Sequence, residues 1–363
     1  MNKINLTEMG SYSRSDVIFL LKNINNLIPE IPTKEREKLI QSGKHYSEML
    51  PVEYELTQEY IDIFYESLKK YKEKLAYAVG VLAEKIIKIK GENIVLVSLA
   101  RAGTPIGILV KRYIKYKFKI EVPHYSISII RDRGIDEKAI SDVLETHKDL
   151  KIVFIDGWTG KGTIKNVLEK ACNDYKEKYN YTISSDLAVL ADPCDCAEIS
   201  GTKEDFLIPS SCLNSTISGL VSRTVLNDTV IGNDDYHGAK FYDNLKEKDL
   251  SNYYIDAISD GFNIISNDIK DLNEKIPEWK GLEDIAGLEK KFGIIDRNFI
   301  KPGVGETTRV LLRRVPEMIL VRNKKDEDVK HIMVLAKEKN VKIIEYPLKT
   351  YKCCGLIKKT RDV

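Results

Sequence analysis

Ile152-Val153-Phe154-Ile155-Asp156-Gly157-Trp158-Thr159-Gly160-Lys161-Gly162-Thr163 decides the fold. Four consecutive apolar residues read as a strand buried on both faces. A carboxylate follows at the strand's C-terminal end. A loop of small and hydroxyl residues then opens a helix. Ligands of open α/β sheets bind at this edge. Backbone N–H groups of a Gly-rich turn and a helix N-terminus hold phosphate, and Thr hydroxyls can add donors. A nucleotide P-loop needs four residues between its first Gly and the Gly-Lys pair, with Ser or Thr directly after Lys. Here two residues separate Gly157 from Gly160, and Gly162 stands between Lys161 and Thr163, so the segment is a different phosphate loop.

The same grammar recurs upstream. Ile94 to Leu99 is a second apolar run, followed by Ala100-Arg101-Ala102-Gly103-Thr104-Pro105-Ile106-Gly107, where Arg101 can supply forked donors to an anion. Tyr125 to Ile130 runs into the charged loop Arg131-Asp132-Arg133-Gly134-Ile135-Asp136, and Leu187 to Ala191 is another short apolar run. Apolar positions from Ile61 to Ile86 recur at helical spacing between Tyr60 and Lys90, with Gly91 as the stop. Strands alternating with helices predict a mostly parallel α/β sheet.

The chain has 363 residues, with 43% hydrophobic and 31% charged, enough for a sizeable core and more than one core usually covers. Two domains are expected. Residues 192 to 260 read as the end of the first plus a covering segment; the polar stretch from Gly43 to Leu50, with His45, can cover a site. After Gly261 a smaller pattern follows: a helix from about Gly305 to before Pro316, a strand at Met318–Val321, a helix from Asp326 to Lys339 and a strand at Val341–Ile344. From Lys301 to Val363 there are 16 Lys/Arg against 8 Asp/Glu, whereas the net charge of the whole chain is +2. A basic C-terminal module on an acidic body suggests a polyanion partner for that end. No apolar run reaches the length of a membrane span, and Met1 to Leu6 holds no signal-peptide core, so a cytoplasmic protein without membrane contact is expected. Six cysteines show no repeating metal-ligand spacing. Cys194-Asp195-Cys196 with Cys212 or His237 leaves open a zinc site or a Cys–His nucleophile.

The Ile152–Thr163 segment resembles the phosphoribosyl-diphosphate (PRPP) motif of type I phosphoribosyltransferases: a strand, an acidic pair, two variable residues and a short Thr/Gly loop. That resemblance implies that Asp156 is the catalytic carboxylate holding the ribose hydroxyls. Thr159, Gly160, Lys161, Gly162 and Thr163 would cradle the 5′-phosphate. It further implies pyrophosphate binding by Arg101, Ala102 and Gly103, a mobile lid carrying Arg131 and Arg133, and Mg²⁺ brought by PRPP with no ligating side chains assigned. Ile155 departs from the family's first acidic position.

Gly303-Val304-Gly305-Glu306-Thr307-Thr308-Arg309, followed by an apolar helix and Arg313-Arg314, resembles the turn of Pelota-like domains and of ribosomal proteins that bind kink-turn RNA. The resemblance implies that Gly303, Gly305, Glu306, Thr307, Arg309 and Arg313 face structured RNA, although Gly305 replaces an Asn that often reads a base. Tyr351 to Leu356 falls at a second RNA-facing loop of that family. The combination looks like the family encoded near bacterial tellurite-resistance and stress operons, members of which are sometimes labelled cysteine protease StiP. Gly10-Ser11-Tyr12 and Ser218 to Thr224 share in that likeness.

The expected architecture is α/β: a type I phosphoribosyltransferase-like parallel-sheet domain with an N-terminal cover segment over 1–260, then a small α/β/α Pelota-like domain over 261–363. The function this implies is a phosphoribosyltransferase, exchanging pyrophosphate and a base or other nucleophile at C1 of PRPP in either direction, in ribonucleoside biosynthesis or modification linked to stress. Two alternatives stand: a non-catalytic, nucleotide-sensing RNA-binding regulator, and a cysteine protease.

Overall fold

Apolar runs too short and too continuous for amphipathic helices form the centre of the molecule. A computed structural model describes residues 9–53, 57–265, 269, 272, 276–313 and 315–357. Met1 to Leu6 and Arg314, both used above, lie outside the described residues. The central strands are β1 (Ile18–Phe19), β2 (Ile94–Ala100), β3 (His124–Ile130), β4 (Lys151–Trp158), β5 (Leu187–Ala191) and β6 (Ile199–Thr202). They pair in the order β1-β3-β2-β4-β5-β6, every pair parallel.

Both faces of this sheet are covered, which is why its strands read as unbroken apolar runs. Leu96, Val153, Ile155 and Leu190 face the long helix α1 (Gln58–Lys90) and α2 (Gly103–Phe118). Val95, Val97, Phe154 and Val189 face α3 (Glu137–Thr146) and α4 (Thr163–Tyr179). The chain leaves β2 toward β3 on one side, and leaves β4 toward β5 on the other. The strand order therefore reverses between β2 and β4, and a crevice opens at their carboxyl ends. The turn after β2 touches strand β4 backbone to backbone: a Cβ on Gly103 would lie 2.3 Å from the Ile155 carbonyl oxygen.

The C-terminal chain adds α5 (Ser251–Ser259), α6 (Gly281–Phe292), β7 (Ile300–Pro302), α7 (Val304–Arg313), β8 (Met318–Val321), α8 (Lys330–Glu338), β9 (Lys342–Glu345) and β10 (Cys353–Leu356). Its sheet runs β7-β10-β8-β9, with β8 and β9 parallel and the other pairs antiparallel. The Asp326–Lys339 helix of the sequence reading begins as a 3₁₀ turn, Glu327–Val329, before α8. The Cys353–Leu356 part of the expected RNA-facing loop is instead a buried interior strand, because it pairs on both edges and the side chains of Cys353, Cys354 and Leu356 are buried in the core.

The two sheets share one apolar cluster, and each has a further cluster of its own on its other face. Val304, Leu311, Ile319 and Cys353 belong to one apolar cluster with Phe64, Leu75, Phe206 and Leu207. The hydroxyl of Tyr60 on α1 donates to the Leu312 carbonyl, and Tyr71 donates to Asp328. Among the described residues, no helix is long and apolar enough to cross a membrane.

Candidate functional site

A cleft of about 230 Å³ opens above β4, lined from below by Asp156, Trp158 and residues 159–163 and from above by Ile300, Lys301, Pro302, Glu306 and Arg309. Asp156 and the whole Thr159–Thr163 loop thus come together as the sequence implies. Strand β4 continues through Asp156 and Gly157 to Trp158, so the carboxylate rises from within the strand. Burial raises the Asp156 pKa to about 7, against the opposing effect of the Gly157 N–H, which donates to its Oδ1 at 2.7 Å.

The loop holds its shape through contacts that the sequence does not announce. The Thr159 hydroxyl donates to Asp192 Oδ1 (2.6 Å) and accepts from the Cys194 N–H (3.2 Å), so it points into the protein and is not a free phosphate donor. Lys161 Nζ donates to the carbonyls of Arg297 (2.6 Å) and Ile300 (3.3 Å), tying the loop to the C-terminal domain. Burial first, then Lys301 and Arg131, lower its pKa to about 8. Gly160 is open, since a Cβ there meets nothing within 4 Å, and its carbonyl accepts the Tyr351 hydroxyl at 2.5 Å. Gly162 has φ +70°, where a side chain is strained, and a Cβ would meet Trp279 at 2.3 Å. The close approach that requires this glycine is to an indole ring. What remains for an anion is the helix start. The first bond of the α4 ladder runs from the Asn166 N–H to the Gly162 carbonyl, and N–H groups before it have no acceptor further back in the helix.

The expected lid is a tight hairpin. Arg131–Arg133 turns β3 into an antiparallel pairing with Gly134–Ile135, closed by Arg133 N–H to the Ile130 carbonyl. Its backbone Arg131 N–H donates to the Tyr46 hydroxyl (2.9 Å), and Arg133 pairs with Glu48 (2.9 Å), so the Gly43–Leu50 segment fastens it. A turn this short has no length to swing over a ligand. Arg131 does line the cleft and donates to Asn298 at 2.8 Å. His45 bonds Ser47 (2.7 Å) as the cap of a 3₁₀ turn.

The turn expected to face RNA faces the parallel-sheet domain. Asp205 accepts the Val304 N–H (2.8 Å) at the start of α7 and the Lys352 N–H (2.8 Å). Gly303 packs on Asp205 and Gly305 on Ser211, and Thr307 is fully buried. Arg309 lies 5.9 Å from the Trp158 ring centre and 3.5 Å from Glu306, while Arg313 donates to Asn214. Burial raises the Glu306 carboxyl pKa, but Arg309, Lys301, Arg313 and Lys161 outweigh it and hold it low. A helix start attracts any nearby anion, and here a carboxylate of the same chain has taken the place. Gly303 and Thr307 are thus buried, while Gly305, Glu306, Arg309 and Arg313 are half-buried at the junction, Glu306 and Arg309 lining the cleft.

Arg101 sits behind the cleft, donating to Val221 O and Asn214 Oδ1, each at 3.2 Å, while Ala102 lines the cleft itself. Among the described residues, no group of three His, Cys, Asp or Glu could hold a metal ion. The donor set does not fit a resident Mg²⁺. The cysteines are all free and buried. Each histidine bonds a hydroxyl: His45 with Ser47, His124 with Ser98, His147 with Tyr125, His237 with Ser128 and His331 with Thr308. The Cys–His pair left open by the sequence is absent among the described residues. Cys194 and Cys196 stand beneath the loop, and the neighbouring Cys196 thiol, with Tyr351 adding to it, lowers the Cys194 pKa against the effect of burial.

A parallel α/β domain whose ligand-binding edge is roofed by a small mixed-sheet domain is the class that fold and cleft define. Residues 279–359 match the PELOTA RNA binding domain. Residues 10–259 match the family described as tellurite-like stress resistance cysteine protease StiP, and the chain belongs to that family. A relative from Acinetobacter baylyi named cysteine protease StiP is 35% identical over 382 residues, spanning 99% of this chain and 98% of that protein. Its name credits it with protease activity. The motif pair Gly10–Tyr12 and Ser218–Thr224 is one structural unit, with the Ser11 N–H donating to the Gly219 carbonyl at 2.9 Å.

Proposed function

We propose that the chain is a phosphoribosyltransferase-type enzyme that binds a ribose 5-phosphate moiety in this cleft and transfers it at C1. One observation carries the reading: a buried carboxylate, Asp156, and the N-terminus of α4 line one cleft at the strand-order reversal. In this reading the 5′-phosphate lies at residues 160–164, held by helix N–H groups, with Lys161 as a fixed neighbouring charge. The ribose hydroxyls donate to Asp156. The bond from C1 to the diphosphate oxygen breaks with its electron pair leaving on diphosphate, and a nucleophile closes on C1. The ribose is cationic at that moment, as in glycoside cleavage, so an ionised Asp156 stabilises it more than it stabilises the ground state. The roof of Glu306 and Arg309 keeps water from that cation. No step is assigned to a metal, because the side chains do not fit one.

The regulator reading, in which the cleft senses a nucleotide and the PELOTA-matching domain binds RNA, draws on Ile155, where a second carboxylate would strengthen catalysis. RNA contact would then use the exposed lysines of that domain, Lys324, Lys325 and Lys349 among them, and not the roofed turn. The protease reading follows the relative's name and would need a thiol and a base that meet. Calorimetry of the full chain with ribose 5-phosphate and PRPP, followed by turnover of labelled PRPP, separates these. Binding with turnover supports transfer, binding without turnover supports the regulator, and neither supports neither.

A further inference from the structure

Tyr351 opens the stretch that the sequence places on an RNA-facing loop, yet it is fully buried and its hydroxyl is turned into the other domain. On α6 the Asp284 carboxylate accepts the N–H groups of Lys349 (2.9 Å), Thr350 (2.8 Å) and Tyr351 (3.3 Å), which fixes the chain just before β10. The ring packs on Gly281, where a Cβ would lie 2.1 Å from the hydroxyl. From this fixed position the hydroxyl donates to the Gly160 carbonyl at 2.5 Å. One residue further on, Lys161 Nζ donates to the carbonyls of Arg297 and Ile300. The C-terminal domain thus grips the phosphate loop at two successive residues.

The peptide between Gly160 and Lys161 is trans, so its C=O and N–H point in opposite directions. Gly160 and Lys161 line the cleft, whereas Tyr351 does not. With the carbonyl drawn back to Tyr351, the Lys161 N–H is turned toward the cleft. Among the described residues, the N–H groups of Gly160, Lys161 and Gly162 donate to no protein acceptor. Successive free N–H groups draw an anion. A reversed peptide would set a carbonyl oxygen there and repel phosphate, and glycine at 160 permits either orientation. We propose that Tyr351 is a positioning residue for this loop. Its hydroxyl holds the Gly160–Lys161 peptide with the N–H toward the ligand, so the C-terminal domain sets phosphate affinity in the cleft without touching the ligand. This rests on the reading that a 5′-phosphate lies at residues 160–164, and it names what regulates that site.

The test is calorimetry of the full chain with ribose 5-phosphate and with inorganic phosphate, alongside thermal unfolding. Tyr351→Phe removes the hydroxyl alone. Tyr71→Phe is the control: it removes another cross-domain hydrogen bond, to Asp328, and neither residue lines the cleft. Both variants should lose thermal stability. Tyr351→Phe should weaken both ligands about 10-fold or more, the scale of one charge-assisted hydrogen bond, and Tyr71→Phe by less than about twofold. The native chain supplies a second readout that does not depend on the variant folding. In NMR with isotopically labelled lysine, the Lys161 amide proton, identified by its loss in Lys161→Arg, should move downfield when ribose 5-phosphate is added. Unchanged affinity in Tyr351→Phe, or equal weakening in both variants, overturns the proposal and leaves phosphate binding in the cleft standing. A Lys161 amide that does not respond to bound ligand overturns it as well. If the native chain binds neither phosphate, the loop site and the role of Tyr351 fall together.

Discussion

Two glycine-containing turns open helices toward the same cleft, one after β4 at Thr159–Thr163 and one after β7 at Gly303–Arg309. Each offers the positive end of a helix, and each has a glycine at positive φ, Gly162 at +70° and Gly303 at +87°. They differ in what stands in front. Before α4 lies open space, whereas before α7 lies the Asp205 carboxylate, 2.8 Å from the first helical N–H. A helix start is a binding site only where the rest of the chain leaves it unfilled. Local sequence sets the turn, and long-range packing decides whether it binds a ligand or a neighbour.

The largest expected break in that comparison is at the open turn. If the cleft carries transfer chemistry, Asp156→Asn should lower turnover of PRPP by ~10²-fold or more and change ribose 5-phosphate affinity far less, because the charge acts mainly on the cationic state. Equal loss in both measurements would make Asp156 a binding group only. Gly162→Val should reduce ribose 5-phosphate affinity by roughly 10-fold or more, since strain at φ +70° and the Trp279 ring both displace the loop. Gly160→Ala, with nothing within 4 Å of its new Cβ, should leave affinity nearly unchanged in the same titration.

At the filled turn, Asp205→Ala removes the partner of two backbone N–H groups and should cost about 2–3 kcal/mol in denaturant unfolding. Sulfate should then stabilise the variant more than the native chain, by occupying the vacated helix start. If sulfate stabilises both equally, the two turns differ in more than their occupant. A smaller effect follows from pH. Burial raises the pKa of Asp156 to about 7 and of Asp205 to about 6, above the values of an unfolded chain. These two carboxyls therefore hold more protons in the folded form than in the unfolded form between about pH 4 and 7, and their contribution to stability falls as pH rises through that window. His124 and His331, whose pKa values burial lowers, contribute with the opposite sign. Asp156→Asn should raise the Tm at pH 8 by on the order of 2–5 °C and change it little at pH 4. Smallest of all, Arg133→Ala breaks a half-exposed pair with Glu48 and should shift stability by less than about 1 kcal/mol.

Much of the open turn was legible because its determinants are local. The apolar run to Ile155, the carboxylate at 156 and the glycine loop lie within twelve residues, and their order alone places them at a sheet edge. Asp192, which turns the Thr159 hydroxyl away from the cleft, lies 33 residues downstream. No periodicity marks it. The hairpin at Arg131 was misread as a lid because a charged, glycine-containing loop looks alike whether it is free or pinned; Tyr46 and Glu48, which pin it, lie 85 residues upstream. The Gly303–Arg309 turn was correctly seen as a helix start, and its surroundings were not, since the acidic residue that fills it lies 99 residues away.

The Asp205 contact also constrains how the chain is made. During synthesis, Asp205 leaves the ribosome 99 residues before Val304 at the start of α7 and 147 residues before Lys352 at the edge of β10. Until then Phe206, Leu207 and Ile208, all buried in the finished protein, have lost those neighbours, and the carboxylate lacks the N–H groups of Val304 and Lys352. A nascent chain carries this apolar patch for several seconds at ordinary elongation rates of about 5–20 residues per second. Truncation within α7 would make that interval permanent, leaving a sticky chain in place of a working N-terminal half.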